Sequence, residues 1–388
     1  MSNKKMLVFM ICMLFTIPIR TFSFINYLVL GLMFLIAYVC NPIDSIGKIR
    51  IKEQKVDLLL LLMVLLLQIT QALTLDNKGE GLHENIRINF RIFFPIVIAL
   101  VIRKSFGKTI AYIKGIVISN LIISVYYFIV LAGSGFDANI SHRTSIFRYF
   151  SVNVVATVLL LNSIVLLYYL FCFKPQSKKE KKSRKIVWIS IILSIVVVLT
   201  SGSRSSFGLL LLISLSMILI RQDLKDVLKT LGIMILGVIG GLVLYRVNSA
   251  LKLIIDRVLL AIVGGNNTVK GDIRNIIWEN AFQRFSQYNH FIGSGSNLIQ
   301  PYGYDYPAHN FLLEILLTDG YVGVCLVAIV YLYYIHKLLK NSSKLKKHFM
   351  ITIILCFLLS AYVQPFYSTG IICQLVFWCG LYIIRYSH

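Results

Sequence analysis

Long apolar runs recur along the chain and constrain its fold more than any other feature of the sequence. They are about 17–25 residues long, which is the length that an α-helix needs to cross a bilayer. A segment in lipid must satisfy its own backbone hydrogen bonds, so it must be a helix or part of a closed barrel. The runs are continuous rather than alternating, which favours helices. With 57% hydrophobic residues and a mean hydropathy of +0.79, the chain is too apolar for a soluble domain of its size.

These runs predict an all-α polytopic membrane protein with about 12 transmembrane helices. The first run resembles a signal peptide, but it lacks a cleavage site of small residues and we expect it to be retained. The predicted spans are 6–20, 24–40, 56–73, 88–102, 110–132, 150–173, 186–200, 206–220, 228–245, 320–337, 349–364 and 369–385.

The formal charge of +23 is distributed in clusters on alternate loops between the spans. This pattern is typical of the positive-inside bias, so we expect both termini in the cytoplasm. It favours anionic lipid headgroups, and not nucleic acid, as partners. The clusters lie at 48–55, 103–108, 174–185, 221–229 and 337–347.

The predicted topology divides the chain into three parts. Residues 1–245 hold spans one to nine, and 320–388 hold spans ten to twelve. Between them, 246–319 form one large extracytoplasmic segment with short helices, including an amphipathic stretch suited to the membrane interface. This segment holds most of the polar side chains that could carry chemistry.

Two arginines are candidates for binding an anion. Arg204 lies in the Ser/Gly-rich stretch TSGSRSSF, where a charge argues for a break between two spans. Such a break can direct backbone N–H groups toward an anion, although an interfacial arginine can also simply reach the headgroups. Arg274 lies four residues before Trp278, on the same face of a predicted helix as Phe282. The alternative there is a cation–π pair that only fixes the helix.

A second cluster precedes the tenth span. His309 and Asn310 stand at the start of a predicted short helix, FLLE, that includes Glu314. The pKa of a free histidine lies near neutral pH, so His309 is a candidate general base. Alternatively, Asn310 is only the N-cap, and Glu314 only complements the helix dipole.

Four further arginines lie on predicted outer loops and either bind substrate or anchor the spans: Arg87, Arg91, Arg143 and Arg148. The sequence lacks nucleotide-binding glycine loops and a DxD motif, and its seven cysteines have no metal-ligand spacing. We therefore expect neither a metal nor a cofactor.

Taken together, SGSRSSFGLLL, RNIIWENAF, GSGSNL and AHNFLLEILLTDGYVG resemble the O-antigen polymerase and ligase superfamily, in that order, over about residues 186–340. The resemblance implies a GT-C-like membrane glycosyltransferase that uses undecaprenyl-diphosphate-linked oligosaccharides at the outer face of a bacterial cytoplasmic membrane. It assigns the diphosphate to Arg204 and Arg274, and acceptor activation to His309 with Glu314. Trp278 and Asn310 are further substrate-binding candidates.

The resemblance implies metal-independent, inverting transfer and leaves polymerase and ligase open. The composition, rich in Ile, Lys, Asn and Tyr and poor in Ala, is typical of an AT-rich genome and favours a polymerase of capsule or O-antigen repeat units. Such an enzyme would act beside a flippase and a chain-length regulator protein. A ligase that transfers finished glycan to another acceptor is the first alternative. A flippase for lipid-linked oligosaccharides has a similar number of spans but no need for the His309 segment. A transporter would need charges within its spans, and these spans carry few.

Overall fold

The computed structural model describes residues 95–96, 109–133, 152–173, 177–201, 204–220, 273–287, 289–294, 308–364 and 371–387. Regular structure within these ranges is helical throughout. The helices are α1 (Thr109–Gly133), α2 (Val152–Cys172), α3 (Lys178–Thr200), α4 (Arg204–Ile220), α5 (Ile273–Phe285), α6 (Phe311–Leu339), α7 (Lys344–Val363) and α8 (Ile371–Tyr386).

Several of these helices have the length and composition of membrane spans. Among the described residues, α1, α2, α3, α6 and α7 are long and apolar enough to cross a bilayer, and α4 and α8 are shorter apolar helices. This architecture is consistent with a polytopic membrane protein. The predicted spans 6–20, 24–40, 56–73 and 228–245 lie outside the described residues, and 88–102 is described only at Pro95 and Ile96. The total of about twelve therefore stays a prediction.

The predicted boundaries agree with α1, α2, α4, α7 and α8 to within about a turn and a half. The prediction was wrong for α3, which begins at Lys178 and not at residue 186. Much of the expected basic loop 174–185 is its first two turns. Ser177 caps this helix by accepting a hydrogen bond from the Glu180 N–H at 3.2 Å, the Ser-x-x-Glu pattern that starts many helices.

The predicted break before Arg204 is confirmed. Helix α3 ends at Thr200, and Arg204 is the first residue of α4. Ser201 closes the last turn of α3, because its backbone N–H donates to the Val197 carbonyl at 2.9 Å and its hydroxyl donates to the Val198 carbonyl at 2.7 Å. The chain therefore leaves α3 with its final carbonyls partly satisfied, and a new helix N-terminus follows at once.

The core lies around α2 and α8, whose described side chains are buried on nearly all sides. Helices that are apolar all round belong inside a bundle. Aromatic rings from α6, α7 and α8 meet there: the Phe357 and Phe377 rings stack with centroids 4.1 Å apart, and Tyr331 meets Trp378 edge-on at 5.0 Å. Asn120 of α1 links the other side by hydrogen bonds to Asn162 of α2 and Ser194 of α3.

Three cations, Arg184, Lys346 and Arg385, bind backbone carbonyls at one end of the bundle, which we call the basic end. The Arg184 guanidinium donates to the carbonyls of Phe173 and Leu170 at 2.6 and 3.0 Å. The Lys346 ammonium donates to the carbonyls of Arg385 and Ser387, and Arg385 itself donates to the Asn341 carbonyl at 2.9 Å. The C-termini of α2, α6 and α8 therefore meet here.

The opposite end, which we call the site end, collects the starts of α2, α4, α6 and α8. The Thr157 hydroxyl near the start of α2 bonds to the Ser360 hydroxyl near the end of α7, at 3.4 Å. The Cys373 thiol near the start of α8 donates to the Val154 carbonyl at 3.6 Å. Phe311, the first residue of α6, meets the α7 residue Phe357 with ring centroids 6.3 Å apart.

Helix α6 contains a break at Gly320, which has φ 63° and ψ −163°. The predicted short helix after Asn310 and the predicted span 320–337 are thus the two halves of one element. In an unbroken helix, the N–H groups of Tyr321 and Val322 would bond to carbonyls four residues earlier. Here they donate to the carbonyls of His290 and Phe291, each at 3.0 Å.

Candidate functional site

Helix α5 packs against the first half of α6 at the site end. Ala281 and Phe285 are buried against Leu313 and Leu317 of α6. Phe282, which we expected on the same face of the helix as Trp278, is 53% exposed. The packed face is narrower than the sequence pattern indicated, because only a stripe of a short helix can touch its neighbour.

Trp278 ties α5 to two other elements. Its indole N–H donates to the Ala308 carbonyl at 2.8 Å. Its ring meets Tyr362 near the end of α7 edge-on, with centroids 5.4 Å apart. Arg274 lies one turn earlier on α5, and its side chain is outside the described residues. The described contacts of Trp278 therefore connect α5 with the approach to α6 and the end of α7.

Asn310 caps α6, which confirms the N-cap interpretation. Its side-chain oxygen accepts from the Leu313 N–H at 3.0 Å, and its backbone carbonyl accepts from the Glu314 N–H at 2.9 Å. His309, directly before the cap, has φ 53°, which lies in the left-handed region that few residues other than glycine adopt. Backbone conformations of this kind persist where the surroundings hold them, and they are enriched at functional sites.

Two carboxylates are buried in the first half of α6. Glu314 is fully buried in the first turn, where the helix dipole favours a negative charge. Asp319 is also buried, and it lies against Gly323, where an added Cβ would overlap the Asp319 side chain. Asp319 was not among the site residues predicted from the sequence. The available signal was an acidic residue within an apolar run, which marks a functional position by default.

Arg204 and Trp278 lie at the same end of the bundle. Helix α4 packs antiparallel to α7, because Ser216 near its end bonds to His348 near the start of α7. Arg204 lies twelve residues before Ser216 on α4. At a rise of about 1.5 Å per residue, this places its backbone about 18 Å from Ser216, at the same depth in the bundle as Tyr362. The side chain of Arg204 is outside the described residues.

The structure does not describe the four remaining predicted site residues, Arg87, Arg91, Arg143 and Arg148. Within the described ranges, His, Cys, Asp and Glu side chains form no group of three that could hold a metal ion. The described site consists of Trp278, the 308–310 segment, Glu314 and Tyr362, with the start of α4 at the same end.

The fold and this site define a helical, multi-pass type of protein with a polar cluster at one end of its bundle. Residues 189–328 match the family model described as O-antigen ligase. The match confirms the predicted relationship to the O-antigen polymerase and ligase superfamily for the region from within α3 to within α6. No curated protein matches the chain.

Proposed function

We propose that this protein is a polysaccharide polymerase that transfers a growing undecaprenyl-diphosphate-linked glycan onto a new lipid-linked repeat unit. The observation that carries the proposal is the family match, which spans the start of α4, helix α5 and the 308–314 segment together. The family supports a glycosyltransferase-like activity on lipid-linked oligosaccharides, and the polymerase assignment is the finer step.

The chemistry follows from the residue types. Arg204 and Arg274 hold the diphosphate, because a planar guanidinium binds phosphate oxygens with two parallel hydrogen bonds. The acceptor hydroxyl oxygen bonds to the anomeric carbon as the bond from that carbon to the phosphate oxygen breaks. His309 takes the hydroxyl proton, and undecaprenyl diphosphate leaves with the electron pair. Fixed positive charge stabilises this leaving group, and the configuration at the anomeric carbon inverts.

Both ends of the bundle fit a single orientation in the cytoplasmic membrane. The basic end carries the described residues of the clusters at 174–185 and 337–347, which the positive-inside bias assigns to the cytoplasm. The site end then faces outward, where lipid-linked repeat units are available and nucleotide sugars are not. Impermeant thiol reagents in intact cells should label cysteines introduced at 268 and 296. Labelling only after lysis would overturn this orientation.

Lipid analysis of a deletion strain tests the function. A polymerase deletion should leave single repeat units and no long chains, with the units reaching the outer leaflet. Accumulation of the units on the inner leaflet would instead identify a flippase and contradict the proposal. The control is a complemented strain, in which both the protein level and the long chains should return to wild type.

A ligase is the second candidate, because the matching family model is described by ligase activity. A ligase would use the same diphosphate donor and the same base, and would differ in its acceptor. Its deletion should leave long chains attached to undecaprenyl diphosphate and absent from the final acceptor. Chain length in the deletion strain therefore separates the two candidates.

A further inference from the structure

Two glycines bring the backbone of the 289–294 segment into the break of α6. Both have positive φ, 72° at Gly293 and 63° at Gly320, a conformation that glycine adopts without strain. A Cβ added to Gly293 would lie 2.5 Å from the Thr318 carbonyl oxygen and 2.6 Å from the Gly320 nitrogen. A Cβ added to Gly320 would overlap the Phe291 carbonyl. The two backbones therefore cross at a distance that excludes any side chain at either position.

Hydrogen bonds across this crossing complete those that the helix break leaves unmade. The carbonyls of His290 and Phe291 accept from the N–H groups that follow Gly320. In return, the Leu317 carbonyl accepts from both the backbone N–H and the hydroxyl of Ser294, each at 3.0 Å. Buried backbone groups are rarely left without a partner, and here the partners come from another segment.

The same stretch of chain also holds the other end of the first half of α6. Trp278 bonds to the Ala308 carbonyl, and Ala281 and Phe285 pack along the middle. The Phe285 ring meets Tyr321 edge-on beyond the break, with centroids 6.0 Å apart. Residues 278–287 and 289–294 therefore contact residues 308–322 from one end to the other, and we call this arrangement the clasp.

We propose that the clasp fixes the segment that carries Arg274 relative to the segment that carries His309, and that Gly293 and Gly320 are positioning residues for glycosyl transfer. This inference rests on the proposed function. Arg274 lies one turn before Trp278, at one end of the clasp, and His309 directly follows Ala308. If the contacts at Gly320 are weakened, the first half of α6 can shift. His309 then shifts with it relative to α5, the helix that carries Arg274.

The test is steady-state transfer by purified, membrane-reconstituted protein, with the lipid-linked repeat unit extracted from the deletion strain as substrate. In Gly293→Ala and Gly320→Ala, kcat should fall about 100-fold, because a displacement of about 1 Å costs that much. KM should change by less than about twofold, because the substrate-binding side chains are retained. The matched control is Gly208→Ala on α4, where a Cβ has no atom within 4 Å, and it should keep wild-type kcat.

A milder variant covers the case in which the glycine variants fail to fold. Ser294→Ala removes the hydroxyl bond to the Leu317 carbonyl and leaves the backbone bond in place. We expect kcat to fall about fivefold and the melting temperature to fall only slightly, since one hydrogen bond of typical strength is lost. Amide hydrogen exchange over residues 308–322 should be faster than in wild type for all three variants, and fastest in the variant with the lowest kcat.

The outcomes separate the inference from the function. If wild-type protein makes no product, the proposed function is contradicted. If wild-type protein transfers glycan and folded Gly320→Ala and Ser294→Ala variants keep its kcat, the positioning role is contradicted. A rise in KM alone would also contradict it, because that result would assign the clasp to substrate binding.

Discussion

The basic end and the site end of the bundle use their polar side chains differently. At the basic end, Arg184, Lys346 and Arg385 all donate to backbone carbonyls near helix C-termini. At the site end, Asn310 caps the start of α6, and Trp278 bonds to the carbonyl two residues before it. The first arrangement closes helices, whereas the second fixes the short segment that contains His309.

Each end holds both helix starts and helix ends, because α3 and α7 run opposite to α2, α6 and α8, so the difference lies in which termini the polar side chains contact. The C-termini of α2, α6 and α8 meet at the basic end, and their partial negative charge attracts cations. The N-termini of the same helices meet at the site end, where partial positive charge favours anions such as the proposed diphosphate. The described cations at the basic end therefore stabilise helix ends, whereas we expect the arginines at the site end to act on the substrate.

The largest effect should come from removing the site-end arginines. Arg204→Ala and Arg274→Ala should each abolish long glycan while the protein stays in the membrane, since the loss of a fixed donor to a developing charge costs about 10²–10³-fold. The matched control is Arg184→Ala at the basic end, which should keep wild-type chain lengths. Wild-type glycan in both site-end variants would contradict the proposal that the arginines at the two ends have different roles.

The next largest effect should come from His309→Ala. Loss of a general base lowers turnover by about 10²–10⁴-fold. His336→Ala serves as the control, because His336 is exposed in the last turn of α6 near the basic end. Turnover measured with both purified variants would sharpen the comparison, and equal turnover in His309→Ala and wild type would exclude the histidine as the base.

A smaller effect on transfer is expected from Asn310→Ala, because the cap interpretation assigns Asn310 a role in stability only. Asn310→Ala should destabilise the protein by about 1 kcal/mol and lower transfer in proportion to the loss of folded protein. Asn310→Ser keeps a capping oxygen and should restore both. If the serine variant is stable but inactive, Asn310 contacts the substrate and is more than a cap.

The smallest effect on transfer should come from Lys346→Met at the basic end. The variant loses donors to the carbonyls of Arg385 and Ser387, so its melting temperature should fall by an amount equivalent to about 1 kcal/mol. Its glycan pattern should match wild type. A shortened pattern in a variant with wild-type stability would give the basic end a functional role.

Local sequence signals predicted much of what the structure describes. Apolar run length located α1, α2, α4, α7 and α8, because a span buries apolar side chains whatever its neighbours are. The break before Arg204 and the cap at Asn310 also follow from local chemistry. The early start of α3 was missed, because eight mostly charged residues obscured the capping pattern at Ser177.

The clasp could not be predicted in this way. Its hydrogen bonds join Ser294 to Leu317, and His290 to Tyr321, which lie far apart in the chain. Gly293 and Gly320 lie in the separate motifs GSGSNL and AHNFLLEILLTDGYVG, but the crossing of their backbones depends on tertiary packing. The burial of Asp319 and the exposure of Phe282 depend on the same packing.

The most direct test of the central claim is the chain length that purified protein makes from a defined undecaprenyl-diphosphate-linked repeat unit, with no other protein present. The proposed polymerase should produce a ladder of lipid-linked products that differ by one repeat unit, and release undecaprenyl diphosphate at each step. Transfer only to a different added acceptor, or no product from folded protein, would contradict the account.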